Sequence, residues 1–425
     1  MNSISITIFL LVSVLLVVQT PYAEQYIITL RQKPNIYASL AFSQRGVTVQ
    51  KAIHNGFVIE CPPDSIRTFL RDPNVLHVEQ DHLCYALGVL DTTWNMRRVY
   101  VPEAHAVGVH GQGMLIALGD TGIDTTHPGL QGRWVDGENL QSPGGSWLDD
   151  HGHGTACAGI LLGIADSAKV VPLKILNSKG QGHYSDIILA LDLVAARQDV
   201  RVLSLSLGGP YPSRALADAC ERATIAGVVI VAAAGNSGGA VFYPAGYASV
   251  IAVSATTPAD TLAGFSCYGP PIDCSAPGIN IRTLAPTWQL PYPYRYINGT
   301  SAACPHVAGL AALILENYPE YAPYQVRAQI GYYAMDLGSP GLDERYGYGL
   351  IHVYQAALHR EYLPGDFDLD GCVTMVDWLI FASTFGCKIG DPCYNPVADF
   401  DRDGKITLAD FISGFAPNFG KCIEP

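Results

Sequence analysis

Four short segments are apolar almost without interruption: Met114 to Leu118, Val170 to Ile175, Val202 to Leu207 and Val228 to Ala233. A strand with one face in water alternates polar and apolar residues, so continuous runs demand strands covered on both faces. Stretches of helical periodicity separate them. From about Val89 to Glu361 the pattern therefore predicts an α/β fold, a mostly parallel sheet with helices on both faces. At 425 residues the chain is too long for one ordinary domain, and 49% hydrophobic against 15% charged residues can support a sizeable core. That composition excludes disorder as the dominant state, while 43 Gly and 28 Pro imply many turns.

Twenty-five basic against 38 acidic residues leave a formal charge of −13, which argues against nucleic acid or an anionic membrane as a partner. Residues 1–23 read as a secretory signal. The run from Ile4 to Val18 is apolar apart from Ser5, Thr7 and Ser13, leads to Pro21-Tyr22-Ala23, and falls short of the ~20 residues that span a bilayer. A secreted, extracellular chain is expected, and its eleven cysteines suggest disulfides with at least one thiol left over. Cys267 and Cys274 are expected to pair across a turn, and the four tail cysteines Cys372, Cys387, Cys393 and Cys422 allow three pairings.

Residues 24–87 form a first small α/β unit. It opens with strand-like Tyr26 to Leu30, and Asn55-Gly56 predicts a hairpin between Val47–Gln50 and Phe57–Glu60. Asp64 is expected to cap a helix, with Val75 to Val78 as the closing strand. Residues 88–361 make the main domain. Residues 363–425 repeat internally: Gly365-Asp366-Phe367-Asp368-Leu369-Asp370-Gly371 recurs as Ala398-Asp399-Phe400-Asp401-Arg402-Asp403-Gly404. Each copy supplies carboxylates at positions one, three, five and twelve of a calcium loop, with glycine at six: Asp366, Asp368, Asp370 and Asp377, then Asp399, Asp401, Asp403 and Asp410.

Three motifs of the main domain carry chemistry. Ile116-Ala117-Leu118 runs into Gly119-Asp120-Thr121-Gly122, placing Asp120 at the carboxyl end of a strand, where α/β proteins put their sites. Asp149-Asp150-His151-Gly152-His153-Gly154-Thr155 opens a small-residue helix, and Asn298-Gly299-Thr300-Ser301 opens an apolar one. Taken singly, Asp120 is a turn residue, His153 a packing residue and Ser301 an N-cap. Together they supply a nucleophile, the base that takes its proton and the carboxylate that orients the base.

In the order Asp120, His153, Ser301 these motifs resemble the subtilisin-like serine peptidases, over roughly residues 90–360. The resemblance implies Ser301 as nucleophile, His153 as general base, Asp120 as its orienting carboxylate and Asn236 as oxyanion donor, in a secreted endopeptidase that needs no cofactor for its chemistry. It implies that a protein or peptide substrate binds by strand addition along Gly180, Gln181, Gly182 and Tyr184 on one side and Ser206, Leu207, Gly208 and Gly209 on the other, with Phe242 at the base of the pocket preceding the cut bond. Residues 24–87 resemble the family's inhibitory pro-domain, cleaved between Cys84 and Leu90 in a self-processing zymogen. The tail resembles dockerin modules holding Ca²⁺, although the partner-reading pairs are Met375-Val376 and Leu408-Ala409 rather than hydroxylated; a cell-surface or cohesin-like partner and a calcium-stapled surface module are the two readings. A catalytically idle attachment protein and an exopeptidase are the competing functions. Two departures stand out: the chain lacks the loop that usually completes a tight calcium site after the histidine helix, and Ala302 replaces the usual Met after the nucleophile.

Overall fold

A computed structural model describes residues 24–33, 47–81, 83–86, 93–289, 293–358, 365–367, 372–388, 398, 400 and 405–422. The expected signal segment, Gly371, Gly404, Cys393 and the ligands Asp368, Asp370, Asp399, Asp401 and Asp403 lie outside these described residues. The chain forms two compact units, Met1–Gln80 and Asp81–Pro425.

The first unit is an antiparallel sheet of β1 (Glu24–Leu30), β2 (Thr48–Ile53), β3 (Gly56–Cys61) and β4 (Val75–Gln80), in the order β2-β3-β1-β4. Ile28, Leu30, Phe57, Ile59, Phe69 and Val75 make its core. The hairpin forms where expected, but Gly56 belongs to β3 and serves a different purpose. A Cβ there would stand 1.8 Å from the Ile28 carbonyl oxygen, so glycine permits close strand approach rather than a left-handed turn. The helix expected after Asp64 is a short 3₁₀ turn, Pro63–Thr68, entered from Pro62.

The second unit continues with β5 (Leu83–Ala86), β6 (Leu115–Asp120), β7 (Glu138–Asn139), β8 (Lys169–Lys174), β9 (Gln181–His183), β10 (Val200–Leu205), β11 (Leu207–Gly208), β12 (Val229–Ala233), β13 (Ile251–Thr256), β14 (Ile272–Pro277), β15 (Ile281–Leu284) and β16 (Tyr294–Ile297). Seven of these form one parallel sheet in the order β14-β13-β12-β10-β6-β8-β7. The chain starts at β6, places β8 on one side, then crosses back to β10 on the other. Strand order thus reverses at β6, which opens a crevice at its carboxyl end, where Asp120 stands.

Helix Thr300–Asn317 lies along β10, β12, β13 and β14 and against helix His153–Ile164, while helices Tyr184–Ala196 and Arg214–Ile225 pack on each other. Gly309 lets the first pair meet, since a Cβ there would lie 2.6 Å from that of Ile164. Helix Thr300–Asn317 is buried from Thr300 to Leu315, which explains why its sequence is apolar on every side. His306 inside it donates from Nδ1 to the Ala302 carbonyl (2.8 Å) and accepts at Nε2 from Asn95 (2.7 Å). Burial pushes its pKa down to about 4, so it is a neutral core residue.

Cys267 and Cys274 do not form the expected disulfide; both are buried free thiols. Cys274 is in β14 and belongs to the main core, whereas the Cys267 sulfur lies 3.1 Å from the Ser237 hydroxyl. In the tail, Cys372 is bonded to Cys422 and Cys387 is also disulfide-bonded. The repeat becomes structure there. Thr374 and Asp377 form a capping box at helix Met375–Thr384, and Thr407 and Asp410 form the same one at Leu408–Asp410.

Candidate active site

Asp120 is buried at the end of β6, and its carboxylate accepts from the Thr121 amide (2.7 Å) and from His153 Nδ1 (2.8 Å to one oxygen, 2.9 Å to the other). A carboxylate only accepts, so the ring nitrogen that faces Asp120, Nδ1, carries a proton. Burial by itself lowers the basicity of His153; the facing Asp120 carboxylate and the neighbouring Cys157 together outweigh it and raise its pKa above the ordinary imidazole value.

His153 is the first residue of its helix, and Asp149 secures that helix start to β6. The Asp149 carboxylate accepts from the Thr121 hydroxyl (2.8 Å), from the Gly152 amide (2.8 Å) and from the Thr155 amide (2.9 Å). Gly154 must be glycine, because a Cβ would meet the Gly122 carbonyl oxygen at 2.1 Å. Lys174, buried opposite Asp120 on β8, donates to the Thr121 carbonyl (2.7 Å) and to Asp150 (2.6 Å). Asp124 is likewise engaged: Thr126 and Thr287 donate to its oxygens, and against the opposing effect of burial these bonds hold its carboxyl below the usual value.

Ser301 is the second residue of helix Thr300–Asn317, whose N-cap is Gly299, so it does not cap the helix. Pro305 lies four residues on and has no N–H to give the Ser301 carbonyl. The Ser206 hydroxyl donates to that carbonyl instead (3.0 Å), with a weaker contact from the Cys157 thiol (3.6 Å). Cys157 is buried beside His153, and burial pushes its pKa up, which keeps it a neutral thiol. The Ser301 hydroxyl is buried and has no hydrogen-bond partner among the described residues. An orphan hydroxyl inside a folded protein is costly and marks a functional position.

Asn236 follows β12. The Thr300 amide and hydroxyl each donate to its Oδ1 at 2.9 Å, and the Thr300 hydroxyl accepts from the Gly235 amide (3.1 Å). An N–H can only donate, so the Asn236 oxygen faces Thr300 and its amide nitrogen is turned the other way.

The segments expected to bind substrate flank a real strand position. β5 lies between β9 and β11, antiparallel to both, with Cys84 opposite Gly182, Tyr85 opposite Gln181 and Gly208, and Ala86 opposite Leu207. Some expected members do other work. Tyr184 is buried with its hydroxyl on the Tyr211 carbonyl, the Ser206 hydroxyl bonds the Ser301 carbonyl, Gly209 pairs with Tyr243, and Gly180 is a turn residue with φ +68°. Phe242 stands beside two of the glycines: a Cβ on Gly208 would come 3.2 Å from the Phe242 Cβ, and one on Gly235 would come 2.9 Å from its ring. Asp149, Thr300 and Lys174 were not singled out from sequence as site residues. Only the Asp-x-x-x spacing ahead of the histidine helix hinted at a cap.

A parallel sheet whose strand order reverses beside a buried aspartate–histidine pair, with a serine at the start of an adjoining helix, defines a serine peptidase. The Subtilase family profile matches residues 111–349, and the chain belongs to that family. It is 38% identical over 312 residues to an alkaline protease of Shouchella clausii, covering 70% of this chain and 78% of that protein. It is 35% identical over 356 residues to subtilisin E of Bacillus subtilis (79% and 90% covered) and 40% identical over 277 residues to subtilisin Savinase of Lederbergia lenta (62% and 97%).

Thr300→Val removes the hydroxyl that fixes the Asn236 amide but keeps the side-chain volume. Turnover should fall on the order of tenfold with little change in KM, less than the ~10²–10³ expected for losing an oxyanion donor outright. Steady-state kinetics on a short peptide, normalised by active-site titration, measure it; an unchanged kcat would show that Thr300 does not orient Asn236.

Proposed function

We propose that the protein is a secreted endopeptidase made as a self-processing zymogen, with Ser301 as nucleophile, His153 as general base, Asp120 as its orienting carboxylate and Asn236 as oxyanion donor. The observation that carries the zymogen reading is β5. This segment occupies the strand between β9 and β11 as a substrate backbone would, and it runs toward Ser301: Ala86 faces Leu207, next to Ser206, whose hydroxyl bonds the Ser301 carbonyl. Just ahead of it, Asp81 accepts from the Ser185 amide (3.0 Å) and seats a carboxylate at the start of helix Tyr184–Ala196. Residues 24–87 would thus be both inhibitor and first substrate, cut beyond Cys84 and before Leu90.

In this reading the chemistry is acyl transfer through the serine. Ser301 Oγ attacks the scissile carbonyl carbon as its proton passes to His153 Nε2. The resulting oxyanion is held by the Asn236 amide and the Ser301 backbone N–H, which the helix N-terminus makes a better donor. Collapse breaks the C–N bond, His153 returns the proton to the leaving amine, and water with the same base releases the acyl group. Asp120 stays ionised throughout and stabilises the imidazolium.

The tail fits Ca²⁺ as a calcium-stapled surface module. Asp366, Asp377 and Asp410 are buried carboxylates at loop positions that the repeat duplicates, and hard oxygen donors suit this ion. With Asp368, Asp370, Asp399, Asp401 and Asp403 they would hold one ion per loop, which would neutralise the acidic turn and tie it to the following helix. Met375, Val376 and Leu408 are exposed apolar residues, so attachment through the hydroxylated pair of a usual dockerin is not part of this reading. Phe242 lies close to Gly208 and Gly235, and in this reading its ring would narrow the pocket preceding the cut bond, favouring small or medium apolar side chains.

Ser301→Ala should abolish maturation and lower turnover on the order of 10⁶-fold, the scale of triad loss in serine peptidases. Mass spectrometry of the variant from a host without extracellular proteases checks this; normal processing would sink self-maturation. Deleting residues 363–425 should remove the high-affinity Ca²⁺ binding seen by calorimetry and leave short-peptide turnover nearly intact. Tight Ca²⁺ binding by the truncated enzyme would assign the ion elsewhere. Peptides varied only at the residue before the cut should favour Ala, Val or Leu, and Phe242→Gly should shift the preference toward Phe by about tenfold; a native preference for Phe or Tyr refutes the shallow pocket.

A further inference from the structure

We propose that His105, His110 and Asp166 form a surface site for a divalent transition metal, with Zn²⁺ the ion that the donor set fits best. One ligand atom from each of the three residues lies within 4.8 Å of the others. His105 ends helix Val101–Ala106, His110 stands in the loop leading to β6, and Asp166 follows the histidine helix. Two imidazoles and a carboxylate are a common zinc donor set with a position left for water, whereas Ca²⁺ and Mg²⁺ prefer oxygen alone.

The surroundings hold these groups ready. His105 Nε2 donates to the Ile164 carbonyl (2.8 Å), the backbone-carbonyl support that orients metal-binding histidines, and this leaves Nδ1 as the lone-pair nitrogen, 3.9 Å from Asp166. His110 Nδ1 lies 2.8 Å from the Asp166 carboxylate, and the two rings stack with centroids 4.8 Å apart. Each ligand's backbone is anchored. Glu316 accepts from the His110, Gly111 and Gln112 amides, the His110 carbonyl accepts from the Ser167 amide, and Arg133 donates to the carbonyls of Leu162 and Asp166. Tetrahedral zinc with bonds of about 2.1 Å needs ligand atoms about 3.4 Å apart, so from separations of up to 4.8 Å the wider pairs must close by at most about 1.4 Å and the His110–Asp166 pair, at 2.8 Å, must open by about 0.6 Å, in part-exposed side chains. As the metal takes the Nδ1 lone pair, the His110 proton that faces Asp166 would move to Nε2, the other neutral tautomer, and the carboxylate would be freed to bind the ion. The bound ion would clamp the segment entering β6 to the turn at the far end of the helix that begins with His153. Its effect should therefore be on stability and not on turnover.

The test uses full-length Ser301→Ala protein, which cannot digest itself, stripped with chelator, kept in excess Ca²⁺ and titrated with Zn²⁺. Calorimetry should show a site tighter than about 10 μM, and saturating Zn²⁺ should raise Tm by about 3–8 °C. His110→Asn and Asp166→Asn should each weaken binding at least tenfold and remove the thermal gain, with the zinc-free Tm unchanged; if the histidine variant folds poorly, the exposed Asp166 substitution carries the test alone. Substituted Co²⁺ should show the absorption of a nitrogen and oxygen site without thiolate charge transfer, and Cys157→Ser should leave binding intact, which separates this site from the buried Asp120, His153 and Cys157 group. Zinc binding undiminished in both variants, binding that depends on Cys157, or none below millimolar Zn²⁺ would each overturn the proposal.

Discussion

The buried bond between the Asp120 carboxylate and the His153 ring is the interaction that the rest of the second unit serves. A carboxylate withdrawn from water is costly, and it is tolerated here because the Thr121 amide and His153 Nδ1 both reach it. Meeting that requirement takes a strand ending at the reversal of sheet order, a helix starting beside it, and no side chain between them. Asp149 binds the helix start to the strand end, Lys174 holds the Thr121 carbonyl, and Gly154 removes the one Cβ that would keep them apart.

Around that pair, backbone groups are released from their ordinary helix partners and given others. Pro305 withholds the donor that would pair the Ser301 carbonyl within the helix, and Ser206 on the sheet side replaces it. The turn that carries Ser301 is thereby tied to the segment that leads into β11. Thr300 plays the matching part for Asn236: by satisfying the amide oxygen it leaves the nitrogen as the outward donor. These bonds set direction more than they add stability, and a directed donor is what a developing negative charge needs.

The tail shows how a duplicated sequence packs without exact symmetry. Its two capping boxes are alike, and Phe367, Val373, Phe381, Ile406 and Phe415 share one core. Gly414 stands where the repeat would place a counterpart of Phe381, because the ring of Phe400 comes within 1.9 Å of where a Cβ would be. One shared core has room for one such ring, and the disulfide from Cys372 to Cys422 joins the middle of the first loop to the segment that follows the helical turn after the second.

Much of this was legible in the chain. Parallel strands announce themselves because burial on both faces leaves no polar position in Val229 to Ala233, and the motifs around Asp120, His153 and Ser301 are local enough to recognise. The duplicated capping boxes of the tail and the hairpin near Asn55 are equally local, since spacing along the chain sets them. What escaped were the supports: Ser206 reaches Ser301 across 95 residues and Asn236 reaches Thr300 across 64. The Cys267 and Cys274 pairing failed for the same reason, as seven residues of separation say nothing about whether one sulfur is directed into the main core and the other toward Ser237. Sequence by itself determined the periodicity of each element and the chemical groups at its ends, because those depend on neighbours along the chain. Which of those groups meet was decided by the order of strands in the sheet and by the crossing of the two glycine-bearing helices, because a hydrogen bond needs its atoms within about 3 Å and only tertiary packing brings them there.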